Sequence, residues 1–135
     1  MDEFEIVPSE QWQTFCEAFS RSHRGWLVRL WEFPTASLEA GTADAHDITV
    51  RDRELQELAT RPSGQHIDLL IRLRDGNAPS EKSIQHILSI MQERDTEGRV
   101  SGLRIDSADA QSTLLRFRVP ARPETVDGLA PGELP

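Results

Sequence analysis

The sequence predicts a mainly β fold of the α+β class. An N-terminal helix packs on a five- or six-stranded antiparallel sheet, or on a small open barrel, and a disordered C-terminal tail follows. Three observations predict it. Ile67, Leu69, Ile71 and Leu73 alternate with Asp68, Leu70, Arg72 and Arg74, the period-2 pattern of an amphipathic strand. Two further runs, 99–107 and 111–119, flank the short turn SADA and read as a hairpin with one buried and one wetted face. Trp12, Phe15, Cys16 and Phe19 fall at i, i+3, i+4 and i+7, one apolar helical face. The chain has 135 residues, the size of one domain. The expected organisation is an acidic N-terminal extension over 1–8, one globular domain over 9–119 and a Pro-rich flexible tail over 120–135.

Each element has a local cause. Pro8 and Ser9 start the helix, with Ser9 placed to accept from an early free backbone N–H. Gly25, after SRSHR, suits the left-handed residue that ends it. WLVRLWEF, residues 26–33, is aromatic and branched and reads as a central strand that Pro34 closes. TASLEAGTADAHD, residues 35–47, is small and polar and reads as a surface loop. Ile48, Val50 and Asp52 alternate as a short strand, whereas Leu55 and Leu58, three apart, fit a helical turn or two. Pro62–Gly64 and Asp75–Asn77 are turn signals. Residues 80–94 stay open between two structures. Ile84, Ile87, Leu88 and Met91 fit a helix, and Ile84, His86, Leu88 and Ile90 fit a strand. After Val119 the chain holds four of its eight prolines and few sizeable apolar side chains, the composition of a tail.

WQTFCEAFSRSHRGWLVRL (12–30) and LRIDSADAQSTLLRFRVP (103–120) resemble the two ends of domain-of-unknown-function family 5335, small bacterial proteins. The shared features are an aromatic helix running into Ser-Arg-x-His-x-Gly-Trp and a closing hairpin that ends Leu-Leu-Arg-Phe. With the weaker middle, the resemblance spans about residues 9–120. It implies a mainly β domain with an N-terminal helix, which favours strand over 83–93. It carries no catalytic residues, because the family has no assigned activity. Asp109-Ala110 stands where the family's turn has Asp-Gly, and alanine at positive φ costs about 1 kcal/mol or more.

Composition narrows the function. The net charge is −8 and the pI is near 4.9, which disfavours nucleic-acid binding. One cysteine excludes an internal disulfide and multi-cysteine zinc sites. No apolar run has the length of a membrane span, and MDEFEIVPSE lacks the order of a signal peptide, so a cytoplasmic location is expected. Fourteen of the 15 basic residues are arginine, and there is no tyrosine. Lysine and tyrosine have AT-rich codons, so a GC-rich bacterial genome accounts for the skew.

Two functional classes follow. The first is a non-catalytic binding or regulatory module that takes an unknown protein or a small anionic ligand. It would use the helix–strand junction, His23, Arg24 and Trp26, or the sheet-face residues Arg116 and Arg118. The alternative is a small hydrolase or metal-dependent enzyme using His23 or the loop cluster Asp44, His46 and Asp47. No nucleophile–base or metal-ligand spacing supports the alternative, so no catalytic residue, metal site or cofactor is assigned. Cys16 sits on the apolar helical face and reads as core. His66 and His86 read as structural or surface histidines. Arg29, Arg72, Arg74, Arg104, Arg116 and Arg118 all fall in strands, where Glu32, Asp68 and Asp106 are placed to neutralise them across strands.

Overall fold

A computed structural model describes residues 3–41 and 48–121. The strands are β1 (Glu3–Val7), β2 (Leu27–Pro34), β3 (Ile48–Ser63), β4 (His66–Asp75), β5 (Ala78–Ile84), β6 (Ile87–Arg94), β7 (Val100–Ser107) and β8 (Gln111–Ala121). They form one antiparallel sheet in the order β1-β6-β7-β8-β2-β3-β4-β5. Helix α1 (Trp12–His23) follows a 3-10 turn at Ser9–Gln11, and a short helix α2 (Thr35–Glu39) follows β2. The mainly β fold is as the sequence predicts, but with eight strands rather than five or six.

The additional strands have identifiable origins. Residues 3–7, read as part of an extension, pair with β6 from Glu3↔Arg94 to Val7↔Ile90. Residues 53–61, read as helical turns, belong to the 16-residue β3. Residues 80–94 are two strands joined through Gln85 and His86. The segment 35–47, read as loop throughout, contains α2, and its residues 42–47 lie outside the described residues. Residues 122–135 of the expected tail lie outside them too, and Pro120 and Ala121 belong to β8.

Bulges explain the misleading periods. Leu55 pairs with Leu73 and Glu57 with Arg72, so Gln56 is an extra residue in β3. The bulge turns Leu55 and Leu58 to one face, and both are fully buried. Ile87 and Ser89 pair with the adjacent Ser107 and Asp106, so Leu88 is the extra residue there. Ile87 and Ile90 therefore both enter the core while Leu88 is exposed.

The chain direction also shapes the sheet. β5 is one edge and β6 is second from the other, yet two residues join them. The sheet must curl strongly to let the chain make that connection. Its inner face carries Val28, Leu30, Leu69, Ile71, Ile90, Leu103, Ile105 and Leu115, all at 1% exposure or less. Trp12, Phe19, Trp26 and Phe117 join the same cluster, with Phe15 partly buried against it. On the other face Trp31, Phe33 and Leu114 form a small second cluster under Leu38 of α2.

Helix α1 lies along β3 where β2 stops. β2 covers β3 only from Ile48 to Glu54. Beyond that, Gly25 N–H donates to Leu55 O at 2.7 Å and Leu55 N–H to Trp26 O at 2.9 Å. Ser20, buried in α1, accepts the Leu58 N–H at 2.8 Å. Its hydroxyl lies 2.7 Å from Cys16 O, with Leu58 O at 3.2 Å as the competing acceptor. Trp12 Nε1–H donates to Val7 O at 3.1 Å and fixes the helix start to β1.

The β7–β8 turn spans three residues, 108–110, and Ala110 takes φ +63°. A three-residue hairpin loop calls for a left-handed third residue, which glycine adopts freely. Three stability outcomes are expected in thermal melts. Ala110→Gly raises stability by about 0.5–1 kcal/mol by relieving that strain. Ser20→Ala lowers it by about 1–3 kcal/mol, because the buried Leu58 N–H loses its acceptor. Phe117→Ala lowers it by about 3–5 kcal/mol through lost burial and a cavity, and an unshifted midpoint refutes its placement in the core.

Candidate functional site

The helix–strand junction is built from aromatic rings. His23 lies in the last turn of α1 and is 9% exposed. Its ring centre is 4.4 Å from that of Phe19, 4.7 Å from Phe117 and 5.1 Å from Trp26. Its Nδ1–H donates to the Phe19 carbonyl at 2.9 Å, which caps a free carbonyl of the helix end. Burial holds its pKa below the ordinary value, and the Phe19 hydrogen bond only partly opposes this. Among the described residues no carboxylate bonds to the ring. His23 and Trp26 are therefore buried side chains packed at the edge of the core. Arg24 is exposed, and its Nε–H donates to Gln56 O at 3.2 Å. Cys16 is 1% exposed, and its thiol is pushed up to about 12, chiefly by burial and then by the neighbouring Glu17 charge.

The outer face of the sheet holds the arginines, and most have acidic partners. Arg116 makes a two-pronged pair with Glu93, both contacts at 2.9 Å, and Glu93 is 1% exposed. Gly102 of β7 stands in the row between them. A Cβ there would overlap the Leu115 carbonyl oxygen and sit 2.9 Å from Arg116 Cα, so only glycine lets β7 and β8 approach this closely. Arg104 pairs with Asp106, and Arg29 with Asp52. Arg116 is thus committed to holding the sheet together. Arg118 is exposed and has no acidic partner among the described residues.

A groove of about 520 Å³ lies on the outer side of β3–β5, lined by Gln56, Arg72, Leu73, Arg74, Pro79, Ser80 and Glu81. Its two arginines come from one strand, two residues apart, and so point the same way. Arg72 is held by Glu81 at 3.2 Å and by Glu57, which together keep its guanidinium firmly charged. Arg74 is exposed, lies opposite Glu54 in the β3–β4 register and makes no ion pair among the described residues. Gln56 connects the groove to Arg24 through the hydrogen bond above. The alternation of β4 shows from sequence that Arg72 and Arg74 share a face. It does not show that β5 folds back to wall a groove beside them.

Asp44, His46 and Asp47 lie outside the described residues. Among the described residues, no group of three or more His, Cys, Asp or Glu side chains is placed to hold a metal ion. No described helix is long and apolar enough to cross a membrane.

The junction sets a pH dependence. A buried histidine with a lowered pKa binds its proton more readily in the unfolded chain. Stability is therefore expected to fall as the pH drops below about 6.5, the ordinary histidine value. Denaturant titrations of the wild type and His23→Gln at several pH values read this out. The variant shows a shallower slope over that range, and an unchanged slope contradicts the assignment. A comparison with protein-family models finds no match, and comparisons with curated proteins and with solved structures find none either.

Proposed function

We propose that this protein is a non-catalytic binding module that recognises a carboxylate-bearing segment of a partner protein through the outer groove of β3–β5. The observation that carries the reading is Arg74, a guanidinium on a groove wall that makes no ion pair among the described residues, although Glu54 lies opposite it across β3–β4. Guanidinium forks match carboxylates in two-pronged geometry, and Arg72 beside it is already oriented by Glu57 and Glu81. Pro79, exposed at the rim, supplies apolar contact. The overall charge of −8 opposes long-range attraction of an acidic partner, so recognition rests on short-range pairing within the groove. The His23 route of the enzyme alternative needs an accessible base, and that ring is packed among Phe19, Trp26 and Phe117; its other route, through Asp44, His46 and Asp47, lies outside the described residues. The same proposal takes the chain as a bacterial cytoplasmic protein related to family 5335, on the strength of its two end motifs.

A glutamate-rich peptide is the probe. Titrated into isotopically labelled protein at low salt, it is expected to shift the amide signals of residues 72–74 and 79–81. Arg74→Glu weakens binding about tenfold or more, equivalent to 1.4 kcal/mol. The melting temperature stays within the range of an exposed substitution, about 0.5 kcal/mol. Signals that move elsewhere, or none that move, overturn the reading.

A further inference from the structure

Two histidines that the proposed function leaves unused come together at the joint where the sheet curls. His66 opens β4, and His86 lies in the two-residue link between β5 and β6. They are 20 residues apart in the chain, yet their rings stack with centres 4.1 Å apart and planes 18° from parallel. His66 is exposed and His86 half-buried, so solvent reaches the pair. His23, by contrast, is enclosed.

The two backbones are fixed independently of the rings. His66 pairs with Ser63 at the end of the β3–β4 hairpin. The His86 backbone N–H donates at 2.9 Å to Oδ1 of Asp68, a carboxylate that is 4% exposed. The His86 carbonyl accepts from Ala108 N–H at 3.0 Å. His86 holds φ +50°, a conformation that persists only where its surroundings impose it. The Asp68 pKa is lowered, first by the His86 N–H and further by Arg61, so the carboxylate stays charged beside the rings.

We propose that His66 and His86 form a two-imidazole site for a divalent transition-metal ion. Imidazole nitrogen is a good donor for copper, nickel and zinc, and binds them at about 2.0–2.1 Å in the zinc case. Two such bonds to one ion place the ring nitrogens roughly 3 Å apart. Near-parallel rings hold their in-plane lone pairs side by side, so binding turns the two rings out of the stack until those lone pairs converge on the ion. Water completes the coordination, since the pair supplies two protein ligands and no third is placed with them among the described residues. Asp68 acts through charge, favouring a cation at the pair while its oxygens hold the His86 backbone and Arg61. A bound ion clamps the start of β4 to the β5–β6 link, so it stabilises the curl. The ordering of affinities follows the ligand type, copper above nickel and zinc.

The test is calorimetric titration of chelator-stripped protein with nickel, zinc and copper salts, paired with thermal melts. One ion per chain is expected, with a higher melting temperature when metal is present. His66→Asn and His86→Asn each lower the affinity at least about tenfold and remove the thermal shift. Asparagine tolerates the left-handed backbone at position 86, so that variant keeps the link intact. His46→Asn leaves binding unchanged. No binding to the wild type, binding retained in either of the first two variants, or binding lost in His46→Asn overturns the proposal.

Discussion

The unpaired length of β3 is the constraint to which the rest of the structure answers. A 16-residue strand offers more backbone than β2 can cover, and an exposed run of N–H and C=O groups invites pairing with another chain. Here the helix supplies what the missing strand does not. Ser20 occupies the Leu58 N–H, Gly25 and Trp26 bracket Leu55, and Arg24 takes the Gln56 carbonyl. A serine within a helix normally competes with its own backbone. In α1 that tendency is used, because one hydroxyl serves the Cys16 carbonyl and the Leu58 amide together. With the edge closed this way, the aromatic face of α1 is delivered onto the inner face of the sheet. Trp12, Phe19 and His23 then seal the core beside Phe117.

The polar groups that look functional in isolation are largely employed by the fold. Glu93 is nearly inaccessible, and burying a carboxylate is costly unless it is paired and hydrogen-bonded. Arg116 meets that demand over Gly102, the one residue in the row without a side chain to obstruct it. Asp68 likewise sits under the surface because His86 and Arg61 both donate to it. The arginines whose charge the sheet leaves without an ion pair among the described residues are few, Arg74 and Arg118 among them.

Much of this was legible in the sequence, and what was not had a specific cause. The α1 face, β2, β4 and the closing hairpin follow directly from 3.6- and 2-residue periods. The strands that escaped are those whose period is broken. Gln56 and Leu88 are inserted residues, and each makes apolar side chains three apart face the same way, which mimics a helix. β1 escaped because an edge strand with exposed Phe4 and Ile6 has no alternation toward a core beyond Val7. Among the binding candidates, His23 and Trp26 stood out for their chemistry, but periodicity does not say that a residue after the helix face turns inward. His66 and His86 could be read as cross-strand neighbours, but their stacking depends on the β4–β5 register, which runs from Asp75↔Ala78 to Leu69↔Ile84 and which no periodicity fixes.

The link through Gln85 and His86 gives the chain an architecture of two meanders. One runs β2-β3-β4-β5 and the other β6-β7-β8, each built from neighbours in sequence. A single seam joins them edge to edge, where residues 28–34 of β2 lie against 111–117 of β8. β1 then reaches across from the front of the chain to brace the far side of the second meander. The local hairpins need little loop closure, whereas the seam brings together segments separated by most of the chain. The largest loop-closure costs of this fold therefore sit in two places, the β2–β8 seam and the β1–β6 brace, and the aromatic contact of Phe19 with Phe117 lies beside the first.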